Sequence, residues 1–452
     1  MMAEEDFALM ISELEIVNKD GVYGNIYLPS EIDGHPVSWK SSHPEVISDQ
    51  EIDGKKPGIV TRGNEEIKVT MTATVEKDGL YGVHSQEVTV KALERRLTED
   101  DYEGYLFSHF IGEGQKGQEQ MYFALAEEGL KFVDMNNKQP VLTNTVGELG
   151  VRDPYIYRSP EGDSFFIVAT NLSIYERGGW GNARGQSASR DGSHALIFWE
   201  SHDLVNWSES KEIYVAPSDA GMAWAPEMIY DEKTGDYAIY FASSLVNEER
   251  TAKTKPDAIY YVTTRDFVHF SEPQLLIDNQ IDSEGQDPRI AIDATIINID
   301  GTYYAAFKDG DNNVQGGGIR ILKSDNLLDK DGWTKHLDLD ELGLTLPTSG
   351  GKGGNSLTNM TLEGPEFFIL NKGDRANPDV IEYGLMADQY MANAGYIPLS
   401  TTNILDTTNA ESSWKILSNQ EYSFAGLTKR HGAILRLTKD EIERIKTAYP
   451  NT

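Results

Sequence analysis

The sequence predicts an all-β protein in which a small β-sandwich precedes a five-bladed β-propeller. One short strand-and-turn pattern occurs five times, at intervals of about 60–80 residues, as expected for a radial array of similar sheets. Two further strand-like runs separate successive copies. The chain is also rich in aromatic residues and glycine, with 22 Tyr, 15 Phe, 7 Trp and 41 Gly, which is typical of many short strands joined by tight turns.

The N-terminal segment, residues 1–93, predicts the β-sandwich. Its strand-like runs, of which Ile11–Ile16 is the first, are separated by Asp-Gly pairs at 20–21, 33–34, 53–54 and 78–79. The stretch Ile32–Ser48, with Trp39 as an expected core residue, resembles the atrophied bacterial immunoglobulin-like domain. We expect a spacer or stabilising module, with carbohydrate binding as the alternative, and a linker at residues 94–104.

The remaining residues, 105–452, predict the propeller. The five copies of the pattern end in aromatic residues, at Phe132, Trp207, Phe270, Trp333 and Trp414. The last repeat lacks the second strand of the other four, whereas an unassigned strand-like run, Tyr105–Phe110, precedes the first copy. A ring in which 105–134 completes the blade of 431–437 leaves no open sheet edge. The alternative is an array of β-sandwiches whose turns are alike by accident.

Composition limits the partners of the chain. It carries 73 Asp and Glu against 40 Lys and Arg, a net charge of −33, so that a nucleic-acid backbone or an anionic membrane would be repelled. No apolar run approaches the roughly 18 residues of a membrane-spanning helix, and the first residues do not resemble a signal peptide. Cysteine is absent, which excludes disulfides and thiol chemistry. We therefore expect a neutral substrate, no nucleic acid and no membrane insertion.

Acidic residues recur where the innermost strands begin. Aligned by their pattern, these strands start at Asp153, Ala225, Asp293, Glu363 and His431. Three carboxyl groups are thus expected at one end of the central axis, and because an unpaired acid in an apolar strand is costly, a functional role is favoured for them. Two carboxyl groups across a pocket, one protonated and one ionised, hydrolyse glycosidic bonds. A third acid nearby can raise the pKa of the protonated one.

The strand starts also carry a family resemblance. Five segments, in order and within roughly 103–447, are similar to the blade motifs of glycoside hydrolase family 43: 151–156, 224–227, 292–296, 362–366 and 429–434. The resemblance implies inverting hydrolysis, with Asp153 as general base, Asp293 as modulator of the acid's pKa and Glu363 as general acid. Ala294, where the family motif usually has proline, indicates a divergent branch and leaves the identity of the sugar open.

Further residues are expected to bind the substrate. Trp224 and Trp180 are candidate platforms for the apolar face of a sugar, with core packing as the alternative. Glu227 follows the start of its strand by two residues and shares its face. Lys308 and Asp388 end the second strands of neighbouring blades, where they are either pocket residues or parts of surface turns.

The chemistry is expected to need no cofactor. The resemblance implies that His431 faces a metal ion, usually calcium, or water in the central channel, whereas a histidine bonded to the backbone is the alternative. Calcium prefers oxygen ligands, so that water would have to complete its shell. Two glycine-rich loops, Gly178–Ser187 and Leu346–Asn355, are expected to shape the pocket.

Together these observations predict an inverting, exo-acting glycosidase that acts on plant polysaccharide or oligosaccharide, secreted by a bacterium or held at its surface. The best expectation within the family is α-L-arabinofuranosidase. A β-xylosidase, and after it a galactofuranosidase or galactosidase, are the alternatives. An alternative of another class is a propeller that binds sugar without cleaving it.

Overall fold

The computed structural model describes residues 10–77, 80–180, 187–279, 290–310, 318–342, 344, 362–390, 395–407, 413–424 and 426–451. The predicted loop Leu346–Asn355 lies outside the described residues, as do 181–186 of the loop Gly178–Ser187. Among the described residues, no helix combines the length and the apolar character that a membrane crossing requires.

The N-terminal domain contains one antiparallel sheet of four strands in sequential order. Its strands are β1 (Glu31–Ile32), β2 (His35–Ser41), β3 (Ile67–Lys77) and β4 (Leu80–Val90). Trp39 is buried in the core of this domain, as predicted, and donates a hydrogen bond of 2.9 Å from its indole nitrogen to the carbonyl oxygen of Pro29.

The strand predicted at Ile11–Ile16 is wrong. The backbone of residues 10–12 is helical, and Leu14 N bonds to Ile11 O at 3.1 Å. The apolar side chains of Met10, Ile11 and Leu14 are buried together, and their spacing of three to four residues places them on one face of a helical turn. The short apolar run was therefore compatible with a strand and with a helical turn.

Five four-stranded antiparallel sheets follow. Blades 1 and 2 consist of β9 (Arg152–Arg158), β10 (Phe165–Thr170), β11 (Ala195–Ser201) and β12 (Lys211–Tyr214), and of β13 (Trp224–Asp231), β14 (Asp236–Ser243), β15 (Ala258–Thr264) and β16 (Gln274–Ile277). Blades 3 and 4 consist of β17 (Ala291–Ile299), β18 (Thr302–Asp309), β19 (Gly318–Ser324) and β20 (Thr334–Asp338), and of β21 (Glu363–Ile369), β22 (Tyr383–Asp388), β23 (Tyr396–Thr401) and β24 (Trp414–Ile416). Blade 5 combines three strands from the start of the propeller, β5 (Tyr102–Phe110), β6 (Tyr122–Ala126) and β8 (Val133–Asp134), with the inner strand β26 (Arg430–Thr438) from its end. A parallel pair, β7 (Leu130–Lys131) and β25 (Tyr422–Ser423), lies beside them.

The five inner strands form a closed ring. Each of β9, β13, β17, β21 and β26 contacts the next, and β26 contacts β9. The ring closes as predicted, because β26 from the C-terminal part of the chain pairs with β5 from the start of the propeller. Because the first and last strands of the propeller pair in one blade, the ring of blades is closed without a gap. The architecture is a five-bladed β-propeller.

The recurring sequence pattern forms a tight turn after the third strand of a blade. In blade 1, the Ser201 hydroxyl accepts a hydrogen bond of 3.0 Å from Leu204 N, and Asp203 accepts bonds from the two amides of Val205 and Asn206. In blade 2, Thr264 and Asp266 do the same. The turn residues Leu204 and Phe267 have positive φ angles of 67° and 56°. The side-chain bonds thus stabilise a backbone that leucine and phenylalanine seldom adopt.

The N-terminal domain packs on the propeller at the far ends of the inner strands of blades 1 and 2. Arg62 donates two hydrogen bonds, of 2.8 and 2.6 Å, to Asp163 in the turn that follows β9. Tyr23 stacks on His202 with ring centroids 3.8 Å apart, and Arg265 donates to the carbonyl oxygen of Pro57 at 2.6 Å. Since these turns lie where the inner strands end, the start of each inner strand faces away from this domain.

Helices are few. They include the α-helices α1 (Ile174–Arg177) and α2 (Lys439–Ala448) and the 3₁₀ helices Glu99–Asp101, Asn136–Lys138, Leu339–Leu342 and Lys372–Asp374. α2 begins with a capping box in which Thr438 and Glu441 bond to each other's backbone amides. Its Ile442 and Ile445 pack in the core between blades 5 and 1.

Candidate active site

Each inner strand carries a β-bulge directly after its first residue or, in blade 3, after its second. Pairing with the second strand is interrupted between Arg152 and Tyr155, between Trp224 and Glu227, between Ile292 and Thr295, between Glu363 and Glu366, and between Arg430 and Ala433. The extra residue bends the strand and changes the direction of the nearby side chains. The five bulges lie at the same end of the ring, where they surround the axis.

The bulges correct the predicted alignment by one residue in blade 4. Asp153, Ala225, Asp293 and His431 occupy the first bulge position, whereas blade 4 places Gly364 there and Glu363 one residue earlier. The proline that follows Asp153, Ala225 and Gly364 marks this register in the sequence. Glu363 is therefore equivalent in position to Arg152, Trp224 and Arg430.

The backbone at the bulges is strained. The φ angles of Asp153, Ala225 and Asp293 are 48°, 45° and 56°, and that of Gly364 is 54°. A residue other than glycine pays on the order of 1–3 kcal/mol for such a conformation, which persists where the surrounding structure enforces it. Strain in three equivalent non-glycine positions around one axis indicates a functional centre.

Asp153 is bonded on both carboxyl oxygens. Thr170 donates to Oδ2 at 2.8 Å, and Nδ1 of His431 lies 3.5 Å from Oδ1. Burial raises the pKa of this carboxyl, but the contact with His431 and the bond from Thr170 outweigh it, so that the pKa lies below its ordinary value. The Asp153 side chain stays 16 % exposed. It is thus an ionised carboxylate that solvent can reach.

Asp293 is the bulge residue of blade 3. Its Oδ2 accepts a hydrogen bond of 3.1 Å from Gly364 N, which links it to the residue that follows Glu363. Burial, together with the charges of Glu363 and Asp153, raises the pKa of Asp293 to about 6, although His431 and Lys308 lower it. The Asp293 carboxyl therefore changes its charge close to neutral pH.

Glu363 contacts two cations. Lys308 donates to Oε2 at 3.0 Å, and Nη2 of Arg430 lies 3.6 Å from Oε1. Burial disfavours the charge on Lys308, yet Glu363 and Asp293 raise its pKa above the ordinary value. The Glu363 side chain is 21 % exposed, so that it reaches solvent at the same end of the axis as Asp153.

Lys308 and Asp388, both predicted to bind substrate, belong to the surroundings of Glu363. The ammonium of Lys308 also lies 4.3 Å from the centre of the Tyr390 ring. Asp388 pairs with Glu363 across the sheet and accepts a bond of 3.0 Å from Nε of Arg430. Burial raises the pKa of Asp388 to about 6 despite that partner. The sequence reasoning missed Arg430, although it begins the strand that carries His431.

Glu227 does not line the pocket as predicted. Its side chain is buried, with 3 % of the residue exposed, and it accepts a bond of 2.8 Å from the Tyr240 hydroxyl. The residue shares a strand face with the bulge, but it follows the bulge rather than forming it, which places it deeper along the axis.

Trp180 and Trp224 meet at the rim of blades 1 and 2. Their ring centroids are 6.0 Å apart at an angle of 79°. Trp180 is 46 % exposed, its indole nitrogen donates to Glu113 at 2.8 Å, and the Arg152 guanidinium lies 5.0 Å from its ring. Trp224 is partly buried against Leu172 and its neighbours. The pair forms a corner of aromatic rings beside the residue that precedes Asp153.

The described residues do not supply a ligand set for the ion expected at His431. No group of three or more His, Cys, Asp or Glu side chains among them could hold a metal ion, and Nδ1 of His431 faces Asp153. Burial lowers the pKa of His431, but Asp153, Asp293 and Glu227 raise it to about 9. The calcium ion stays a prediction of the resemblance.

The residues at this end of the axis can carry out acid–base chemistry on a neutral substrate. Asp153 is held as a carboxylate by a cationic histidine, and a second carboxyl, Glu363, lies on another blade. Asp293 bonds to the backbone beside Glu363, and the charge of Asp153 acts on it. A pair of carboxyl groups with distinct surroundings is the basis of acid and base roles in glycoside hydrolysis.

Comparison with known proteins confirms both resemblances predicted from the sequence. The family of probable glycosyl hydrolase domains matches residues 100–443, and the atrophied bacterial Ig domain matches residues 3–93. An α-L-arabinofuranosidase of Bifidobacterium longum subsp. longum is 29 % identical over 403 residues, which cover 80 % of this chain and 35 % of that protein. The chain thus spans about a third of the length of this curated relative.

Solved structures with partial similarity include an α-L-arabinofuranosidase and an arabinanase. The α-L-arabinofuranosidase of Lactobacillus brevis is similar over 67 % of this chain and 82 % of the other, with a TM-score of 0.40 and 17 % identity. The arabinanase of Bacillus subtilis is similar over 62 % and 82 %, with a TM-score of 0.35 and 18 % identity. The assignment of the chain rests on the family model, which covers more than half of it.

Proposed function

The chain belongs to the family of probable glycosyl hydrolase domains, and from this premise we propose that it is an inverting, exo-acting α-L-arabinofuranosidase. The observation that carries the proposal is the different bonding of two carboxyl groups at one end of the axis. Asp153 is fixed as a carboxylate by His431 and Thr170, whereas Glu363 contacts the cationic side chains of Lys308 and Arg430 and is more exposed.

In the proposed reaction Glu363, in its protonated form, gives its proton to the glycosidic oxygen as the bond from that oxygen to the sugar's anomeric carbon breaks. Asp153 removes a proton from a water molecule, whose oxygen bonds to the same carbon from the opposite side. Solvent then takes the proton from Asp153 and returns one to Glu363. Lys308 contacts the carboxylate form of Glu363, and this contact must loosen before the acid is protonated.

Asp293 is proposed to act on the acid rather than on the substrate. Its Oδ2 holds the backbone amide of Gly364, which fixes the chain directly after Glu363. As an anion, Asp293 disfavours a second negative charge on Glu363 and so supports its protonated form. General acid–base catalysis of this type contributes about 10²–10⁴-fold to a rate.

The sugar and the location complete the proposal. The curated relative at 29 % identity is named an α-L-arabinofuranosidase, which supports arabinofuranose as the sugar removed, from plant polysaccharide or oligosaccharide. The corner of Trp180 and Trp224 supplies aromatic surface for the substrate. A polymeric plant substrate places the enzyme outside the bacterial cell or at its surface.

The test is hydrolysis of 4-nitrophenyl α-L-arabinofuranoside, β-D-xylopyranoside and β-D-galactofuranoside. We expect release from the arabinofuranoside, and a loss of about 10²–10⁴-fold in Glu363→Ala. Glu87→Ala, at an exposed glutamate of the N-terminal sheet, is the control and should match the wild type. Release from one of the other sugars would replace the substrate assignment, and binding of arabino-oligosaccharide without any cleavage would identify a sugar-binding propeller.

A further inference from the structure

A buried cation beside the proposed base organises one side of the pocket rim. Arg152 directly precedes Asp153, and its side chain is only 7 % exposed. Its guanidinium contacts two aromatic rings, at 4.6 Å from the centre of the Phe110 ring and 5.0 Å from that of Trp180. Contacts between a cation and the faces of aromatic rings are favourable. The Trp180 ring is therefore attached to the chain segment that carries the base.

Glu113 joins this cation to the tryptophan from the loop between β5 and β6. Its Oε2 accepts a hydrogen bond of 2.6 Å from Arg152, and its Oε1 accepts one of 2.8 Å from the indole nitrogen of Trp180. Burial raises the pKa of Glu113, but Arg152 and the bond from Trp180 outweigh it, so that the pKa lies below its ordinary value. The side chain is 31 % exposed. Because a carboxylate offers about four acceptor sites, Glu113 can still accept bonds from a ligand.

The position of Trp180 is also fixed through α1, which ends three residues before it. Glu119, a buried residue, accepts three hydrogen bonds of 2.7–3.0 Å from the start of α1 and one of 3.1 Å from Arg152. Arg152 thus bridges Glu113 and Glu119. The Trp180 ring is held from both directions although it is 46 % exposed, as expected for an aromatic surface that binds a ligand.

The corner formed by Trp180 and Trp224 lies beside Asp153. The backbone amide of Ala225, the residue after Trp224, donates to the Thr170 hydroxyl at 2.7 Å, and this hydroxyl donates to Oδ2 of Asp153 at 2.8 Å. Trp180 contacts the residue that precedes Asp153. Both rings of the corner are therefore linked to the base, one through a single hydroxyl and the other through a neighbouring side chain.

The position of the corner indicates which sugar it contacts. In a single displacement the anomeric carbon lies between base and acid, and the leaving group lies on the side of the acid. Glu363, the proposed acid, contacts Lys308 and Arg430, which belong to blades 3 and 5. The corner is instead linked to the base on blade 1. It therefore faces the sugar that is removed rather than the leaving group.

We propose that Glu113 and Trp180 form the subsite for the removed sugar, with the Trp180 ring against its apolar face and Glu113 as acceptor of hydrogen bonds from its hydroxyl groups. Glu113 thereby determines specificity, because a site built to bond a hydroxyl group rejects a sugar that does not present one there. The inference rests on the proposed function for the identity of the reacting sugar. Sugar binding at this subsite does not depend on cleavage.

The experiment compares Trp180→Ala and Glu113→Gln with the wild type on two substrates. In 4-nitrophenyl α-L-arabinofuranoside the removed sugar is the only sugar, whereas arabinobiose has a second sugar as leaving group. Both variants should raise KM about tenfold, with a smaller change in kcat and by the same factor on both substrates, because the lost contact is to the shared sugar. Tyr214→Ala, at an exposed aromatic residue of the outer strand β12, is the control and should match the wild type.

Three kinetic results would overturn the proposal. A rise in KM for arabinobiose alone would assign the corner to the leaving sugar. A fall in kcat at unchanged KM would show that Glu113 acts only as the partner of Arg152 beside the base. Values equal to those of Tyr214→Ala would show that neither residue contacts the substrate.

Failure of the wild type to cleave any glycoside would contradict the proposed function, and calorimetric binding of arabinobiose would then decide the subsite. Trp180→Ala should bind about tenfold more weakly than the wild type and Tyr214→Ala. Equal binding by all three proteins, or no binding by the wild type, would overturn the inference.

Discussion

Lys308 and Glu363 form an ion pair between the second strand of blade 3 and the first strand of blade 4, with Nζ 3.0 Å from Oε2. The Lys308 side chain is only 10 % exposed, so that its position is fixed by the protein. The pair joins a residue predicted to bind substrate to the residue proposed as general acid. It explains how a partly exposed glutamate keeps one orientation in the free enzyme.

Replacing Lys308 by methionine should reduce kcat/KM by about 10²-fold, because a loss of orientation of a catalytic group has effects of this size. The measurement is steady-state hydrolysis of the nitrophenyl glycoside that the wild type cleaves. Lys323→Met, at an exposed lysine of the same blade, is the control and should retain full activity. Equal activity of the two variants would show that the ion pair has no part in catalysis.

Activity should decline as the pH falls through about 6, the pKa to which burial and the neighbouring acids raise Asp293. Protonation removes the charge on Asp293 that strengthens its bond to Gly364 N, so that the backbone beside Glu363 is held less firmly. The pKa of Asp153 is lowered, so that the base remains ionised throughout this range and does not set the acidic limb. The check is the pH dependence of kcat/KM in the wild type and in Asp293→Asn. A limb near pH 4, the ordinary range of an aspartate, would contradict this assignment.

Gly364→Ala should destabilise the protein by about 2–4 kcal/mol, from the left-handed backbone and from overpacking. At φ 54°, an added Cβ would lie 2.8 Å from Cγ of His431 and 3.0 Å from the Tyr396 hydroxyl. Chemical unfolding measures the change. Gly373→Ala is the control, because its Cβ would meet no atom within 4 Å. Similar unfolding free energies for both variants would mean that the bulge of blade 4 has room that the structure does not show.

Arg62→Ala should cost about 1–3 kcal/mol of unfolding free energy, because it removes a buried guanidinium and leaves the acceptors of its hydrogen bonds unpaired. The Arg62 side chain is 1 % exposed and donates to Asp163 and to the carbonyl oxygens of Tyr23 and Lys91. The control is Lys68→Ala, whose pair with Glu87 is exposed and should contribute at most about 1 kcal/mol. Equal stability of the two variants would indicate that the N-terminal domain is only loosely attached.

The sequence predicted the propeller because its evidence is local and repeated. The turn that ends in Trp207 depends on side chains within a few residues of one another, and such a pattern is visible without the fold. The closing of the ring followed from counting strands, since Tyr105–Phe110 was the one run without a blade. Ile11–Ile16 was wrong because a short apolar run fits a helical turn as well as a strand.

The arrangement around the axis was less accessible to sequence reasoning. The offset of Glu363 by one residue depends on where pairing resumes after a bulge, although the proline after Gly364 could have indicated it. Glu227 and Glu366 are both buried, although their strands lie more than a hundred residues apart in the chain. Neither residue differs in sequence from an acid that faces a pocket, so that only the structure separates Glu227 from the substrate.

The most direct test of the account is the configuration of the first product, followed by proton NMR during hydrolysis of an α-L-arabinofuranoside. Single displacement by water, activated by Asp153 and assisted by Glu363, should release arabinose first as the β anomer, which then equilibrates. First release of the α anomer would mean a covalent intermediate and would contradict the roles proposed for both residues.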